Sequence, residues 1–280
     1  MAKLVAQEKT LRKLLELLIS PSLSSDYALS VSRGLIKGVS SVNVFGQAPE
    51  GVQVTLTDIW SRADAVPTQQ TWLAPKASRI HTIASSSASD VLGGTGDTSV
   101  YVYFLETWDT TEAVEIVSGN LNAGIDMKKS AVIINKMVIT AQSTTLNNNV
   151  GTITATAAVD ATITSVILPN KGRSQSAFLG IPSAQDLHIV NYHSSLHDIT
   201  GGVGAKITTY LSVNESPKTQ TVNFVTRHNS GNNTTGSSSF DYLFNIPLKI
   251  SGPSIVKMQC IGSAADLDVS AGFDAYLVNN

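Results

Sequence analysis

Val150-Gly-Thr-Ile-Thr-Ala-Thr-Ala-Ala-Val-Asp-Ala-Thr-Ile-Thr-Ser-Val-Ile-Leu168 is written in a period of two. Thr152, Thr154 and Thr156 alternate with Ile153 and Ala155, and Thr162 and Thr164 flank Ile163. Successive side chains of a strand point to opposite faces, so one row is directed to a core and the other to solvent or a partner. The same texture runs through most of the chain after residue 25. Short apolar alternations such as Ser99-Val-Tyr-Val-Tyr-Phe-Leu105 are separated by clusters of Gly, Ser, Asn and Asp. There is no rhythm of strand, helix and strand. Many short strands with turn residues between them predict a mainly β fold with antiparallel sandwich or jelly-roll architecture.

Residues 1–21 are the exception. Leu4, Leu11 and Leu18 recur at seven, Leu14, Leu15 and Ile19 widen the stripe, and Pro21 ends it. This is the pattern of one N-terminal amphipathic helix. Such a stripe must be covered, either by the chain's own β body or by a neighbouring subunit, which would make the helix an anchor. Residues 22–78, punctuated by Gly34, Gly38, Gly46 and Pro49, read as an extended connecting arm. Residues 79–168 read as a first β-sandwich half. Pro169-Asn-Lys-Gly172 then leads into a second β domain over 169–280. In that domain the strand patterns fall near 186–194, 205–213, 219–227, 239–247, 254–261 and 271–278, with a long polar loop over 231–239.

Composition narrows the function classes. The 280 residues are 42% hydrophobic and only 14% charged, with a net charge of -2. No run of basic residues marks a nucleic-acid footprint. The start lacks the pattern of a signal peptide, and Leu14–Ile19 is too short to span a bilayer, so neither nucleic-acid binding nor membrane insertion is expected. Cys260 is the single cysteine, which rules out an internal disulfide. Within Ile255–Ile261 it reads as a half-buried strand residue rather than a nucleophile.

Chemistry-bearing residues do not assemble into a site. His188, His193 and His197, with Asp186 and Asp198, are the one group with metal-ligand residue types. The surrounding sequence reads as strand, where a spacing of four is not a ligand pair, and neither metal nor cofactor is expected. No Gly-x-Ser-x-Gly elbow is present, and Gly93-Gly-Thr-Gly96 lacks the Lys-Ser/Thr of a phosphate loop. Catalysis is therefore not expected. Trp60, Trp72, Trp108, Tyr101 and Tyr103 have faces that could stack on sugar or line a subunit interface, although core packing is the commoner fate of such residues.

Three stretches taken together resemble a family of virion structural proteins of tailed bacteriophages, frequent in marine phages and cyanophages. They are Gly34-Leu-Ile-Lys-Gly-Val-Ser-Ser-Val-Asn-Val-Phe-Gly46 followed by Asp58-Ile-Trp60; Val150-Gly-Thr-Ile-Thr-Ala-Thr156; and Asp268-Val-Ser-Ala-Gly-Phe-Asp-Ala-Tyr-Leu-Val-Asn279. The resemblance covers roughly residues 34–280 and leaves out the segment 2–20. It implies a non-enzymatic, β-rich protein in many copies on the particle, made in the host cytoplasm, decorating or cementing the head or associated with the tail. The implied partners are further copies of itself, as a trimer or higher ring, and other virion proteins such as the major capsid, portal or tail proteins. The alternative is a module that recognises host-surface glycan. The family supplies no catalytic residues.

Overall fold

The computed structural model describes residues 27–61, 71–75, 77–141, 149–199, 204–219, 223–233, 239–265 and 267–280. The expected helix over 2–20, with Leu4, Leu11, Leu14, Leu15 and Leu18, lies outside them. The α-helix among the described residues is the short α1 (Tyr27–Ser32). The rest is mainly β, in antiparallel sheets.

Two sheets enclose the larger core. One has the order β1 (Val39–Val52), β16 (Leu267–Asn279), β11 (Gln185–Ile199) and β14 (Ser239–Ser251). The facing sheet runs β10 (Phe178–Ile181), β15 (Ser254–Gly262), β12 (Lys206–Asn214) and β13 (Val225–Asn233), with β2 (Thr57–Asp58) paired to β15. Val44, Leu187, Ile189, Tyr192 and Phe273 from the first sheet meet Ile207, Leu211, Val256 and Met258 from the second.

Between β2 and β10 the chain builds a smaller sandwich. Its sheets are β6 (Ile125–Asp126), β3 (His81–Ser85), β8 (Ile153–Ala157), β9 (Ile163–Ile167), and β5 (Ala113–Ser118), β4 (Ser99–Leu105), β7 (Ile133–Ala141). Ile83, Val100, Val102, Phe104, Ile134, Met137, Ile153 and Ala155 fill its core. The exit and return of this insertion are adjacent, because Trp60 and Ser176 form an antiparallel bridge.

Period-two reasoning holds in β8, where Ile153, Ala155 and Ala157 are buried and Thr154 and Thr156 lie half-buried on the other face. It fails in β9, where Thr164 and Ser165 are buried as well. This strand lies at the seam between the sandwiches, so Ile167 enters the small core while Val166 and Leu168 enter the large one. A strand covered on both faces has no solvent row to display.

The stretch 22–78, read as a connecting arm, is corrected by the structure. Its residues 39–52 are a full strand of the large sandwich, in register with β16 from Val39↔Val278 to Ala48↔Val269. Gly46 is not a turn there. A Cβ at this position would come within 2.3 Å of the Ala177 nitrogen and 2.6 Å of the Ile59 carbonyl, so glycine permits a close approach of backbones. The strand expected over 219–227 is displaced to β13, and Pro217–Thr219 forms a 3-10 turn. Polar Ser230 and Asn232 hid this strand from sequence reading. They are buried because Thr209 and Ser230 hydroxyls lie 2.6 Å apart and Asn232 Nδ2 donates to the Ser194 carbonyl at 3.2 Å.

Candidate assembly surface

β14 and β13 are the outer strands of the two large sheets on one side of the molecule. Pairing of β14 with β11 is interrupted between Leu243↔Asn191 and Leu248↔Ile189, so Phe244–Pro247 stand opposite Val190 alone. Such an excess of residues on one strand forms a bulge that pushes side chains outward. Ile246 is 84% exposed and Leu243 70%. Tyr242, on the other face of β14, is 38% exposed, and Val225 of β13 is 49% exposed.

An aromatic cluster holds this part of β14 in place. The buried Tyr192 shares a hydrogen bond of 2.8 Å with His228 Nδ1. The His228 ring lies 4.6 Å from Tyr242 and 5.5 Å from Phe244, centroid to centroid, and Tyr192 lies 5.6 Å from Phe240. Isolated exposed apolar residues are ordinary on a protein surface. Several large ones together on the end strands of two sheets are not, since unpaired edges are normally blunted by charge or covered.

The aromatic candidates separate into two groups. Trp60 and Trp72 are fully buried, and Trp108 is 9% exposed, so none of the three presents a face to a sugar or another subunit. Trp72 stacks on Phe178 at 4.3 Å, and its Nε1 donates to the Thr164 carbonyl at 2.9 Å. These tryptophans close the seam between the sandwiches. Tyr101 and Tyr103 point outward from β4, opposite Ile116 and Val114 of β5, which are about half exposed. Lys136 covers the Tyr103 ring at 4.1 Å.

The three histidines lie on one strand, and bulging in β11 sets His188, His193 and His197 on its outer face. His193 and His197 are still about 13 Å apart along an extended chain. Among the described residues no group of three His, Cys, Asp or Glu could hold a metal ion. His197 Nε2 sits 2.7 Å from Ser270 Oγ and 3.1 Å from Ser195 Oγ, and the two hydroxyls are 2.8 Å apart. This is a cross-strand polar ladder on an open sheet face.

Cys260 is wholly buried, deeper than the half-buried position expected for it. Burial, and secondarily the Asp58 charge, push its thiol well above the ordinary range. It is expected to resist a thiol reagent such as Ellman's until the chain unfolds, because the thiolate is the reactive form. Stoichiometric labelling of folded protein would contradict this.

β15 is buried along nearly all of its length: β10 and β2 pair with it along one edge and β12 along the other, and Asp58 and Phe224 cover Lys257. This explains a buried ion pair. Lys257 Nζ lies 2.8 Å from Asp58 Oδ1 and 3.0 Å from Oδ2, and both side chains are only 3% exposed. The Trp72 N–H donates to Asp58 Oδ2 at 2.6 Å, and the Phe224 ring caps the ammonium at 4.0 Å. Burial raises the Asp58 carboxyl, against the opposing pull of Lys257. Beside it, a cavity of about 530 Å³ between the sandwiches is lined by Trp72, Pro75, Trp108, Pro217 and Phe224.

No protein family matches the sequence, and neither does any curated protein. Among solved structures, the chain is similar to one described as the structure of infectious bursal disease virus, Gx strain, with 10% identity and a TM-score of 0.22 over 86% of this chain and 70% of that one. It is also similar to a mutant VP2 protein of infectious bursal disease virus in derived T=1 particles, with 13% identity and a TM-score of 0.18 over 86% and 68%. Likenesses this slight carry no argument about fold or function. Among the described residues, no helix is long and apolar enough to cross a membrane.

Proposed function

We propose that this chain is a non-enzymatic structural component of a virion, of the tailed-phage kind its sequence resembles, and that it assembles as a symmetric homo-oligomer. The observation that carries the reading is the apolar ridge of β13 and β14, end strands whose outer edges no other strand pairs among the described residues, on a chain with one cysteine and little charge. Closed symmetry is the common outcome when identical chains cover such a surface. The head-decorating and tail-associated roles both fit a β body that presents surface. The Leu4/Leu11/Leu14/Leu15/Leu18 stripe is a second device by which such a subunit would attach to other virion proteins.

Analytical ultracentrifugation tests the assembly. The full chain is expected to sediment at micromolar concentration as a defined oligomer. The variant with Leu243→Asp and Ile246→Asp should run as a monomer with an unchanged melting temperature, since both side chains project from the fold. A monomeric wild type, or an oligomer indifferent to both aspartates, would remove this support.

The alternative is recognition of host-surface glycan. What favours it is the outward row of Tyr101 and Tyr103, whose rings lie 6.4 Å apart on one sheet face.

A further inference from the structure

β1 is the outer strand of its sheet on the side opposite β14, and among the described residues it pairs only with β16. Along its far half this edge is covered, since the Gln47 N–H donates to the Gln175 carbonyl at 3.3 Å. In an antiparallel ladder alternate residues direct both backbone groups to the same side. The N–H and C=O groups of Ser41, Asn43 and Phe45 therefore point the same way as those of Gln47. No backbone partner meets them among the described residues. They face a cleft of about 300 Å³ that is walled on the other side by β7, β10 and residues 173–176, and the run Ser40–Phe45 lines it without a gap.

Arg173 stands in that cleft. Its Nε is buried without a hydrogen-bond partner, as is the hydroxyl of Ser176, which is 6% exposed. No acidic side chain pairs with the guanidinium among the described residues. The other charged groups lining the cleft are engaged. Glu112 accepts from Asn135 Nδ2 at 2.8 Å, and Lys136 lies over Tyr103. An arginine fork without its acceptor is matched by a carboxylate. An open strand edge beside it is matched by another extended chain.

We propose that the cleft between β1 and β7 binds an extended peptide segment of another chain, added antiparallel or parallel to the edge at Ser41–Phe45, with an acidic side chain seated on Arg173. The incoming strand continues the line that Gln175 already occupies beside Gln47. Backbone pairing supplies the main attraction, and Arg173 selects for acid. This site is independent of the β13–β14 ridge and of the virion reading, and it would stand if either failed.

Fluorescence anisotropy with the full chain tests it. The probe is a labelled heptapeptide of alternating threonine and valine with a central glutamate, and its control carries glutamine instead. The glutamate peptide is expected to bind at least about tenfold more tightly than the control, the scale of a charge-assisted hydrogen bond. Arg173→Gln should abolish that difference while leaving the melting temperature unchanged. Ser41→Pro removes one outward N–H without touching the ladder to β16, and should weaken both peptides alike. Equal affinity for the two peptides, no saturable binding, or full binding by Ser41→Pro would overturn the proposal. So would a single-stranded oligonucleotide that binds more tightly than the glutamate peptide and is lost with Arg173→Gln.

Discussion

Lys257→Ala is expected to destabilise the folded chain by about 3–5 kcal/mol, a large share of the stability of an ordinary domain. The loss comes less from the attraction removed than from the carboxylate left behind. Asp58 is 2% exposed, and without Lys257 its charge would be held only by the Trp72 N–H and neighbouring polar atoms. Replacing both partners by apolar residues, Lys257→Met with Asp58→Leu, should recover much of the loss. Recovery will be incomplete, because the Trp72 N–H then loses its acceptor, at a cost of about 1–3 kcal/mol. Urea unfolding of the two variants measures this. A single variant that costs less than about 1 kcal/mol would show that water reaches the pair.

Acid should loosen the smaller sandwich through His81. This residue is fully buried on β3; its Nδ1–H donates to the Arg79 carbonyl at 3.0 Å, and Nε2 is buried without a partner. Burial lowers its pKa to about 4, with the Arg79 carbonyl a smaller opposing influence. In the unfolded chain an imidazole titrates near its ordinary value, so between the two values the unfolded state binds the extra proton. Stability is therefore complete above about pH 6.5 and declines as pH falls through the window toward 4. The decline attributable to His81 is about 2 kcal/mol at pH 5 and about 3 kcal/mol near pH 4. His81→Leu should flatten the fall in melting temperature over this range relative to wild type. Parallel curves for the two proteins would mean that His81 is not the group responsible.

Both effects arise where sequence periodicity is silent. Lys257 and Gln259 alternate with Val256, Met258 and Cys260, the ordinary pattern of a strand with one wet face. They are buried because a segment some two hundred residues earlier supplies Asp58 as their partner. Likewise Gly46 reads as punctuation, yet it marks the place where β1 passes against Ala177. The tryptophans could have been core or surface by composition, and seam packing decides for the core. The β13–β14 ridge was half visible. Strand patterns near 239–247 were evident, but the exposure of Leu243 and Ile246 depends on a bulge opposite Val190. Arg173 carries no signal in the sequence, because the meaning of an arginine lies in whether anything pairs with it.

The sequence by itself determined what local chemistry controls. Period-two alternation in Ser99–Leu105 and Val150–Ala157 specified strands and their inward rows, and the absence of a strand–helix–strand rhythm specified antiparallel sheets. Tertiary structure alone decided that β1 closes against β16 across the length of the chain. It also decided that the small sandwich is inserted between β2 and β10, and that β9 and β15 are wet on neither face. The reason is physical: alternation depends on neighbours one and two residues away. Burial of a second face, a close backbone approach or an unpaired charge depends on residues that only folding brings near.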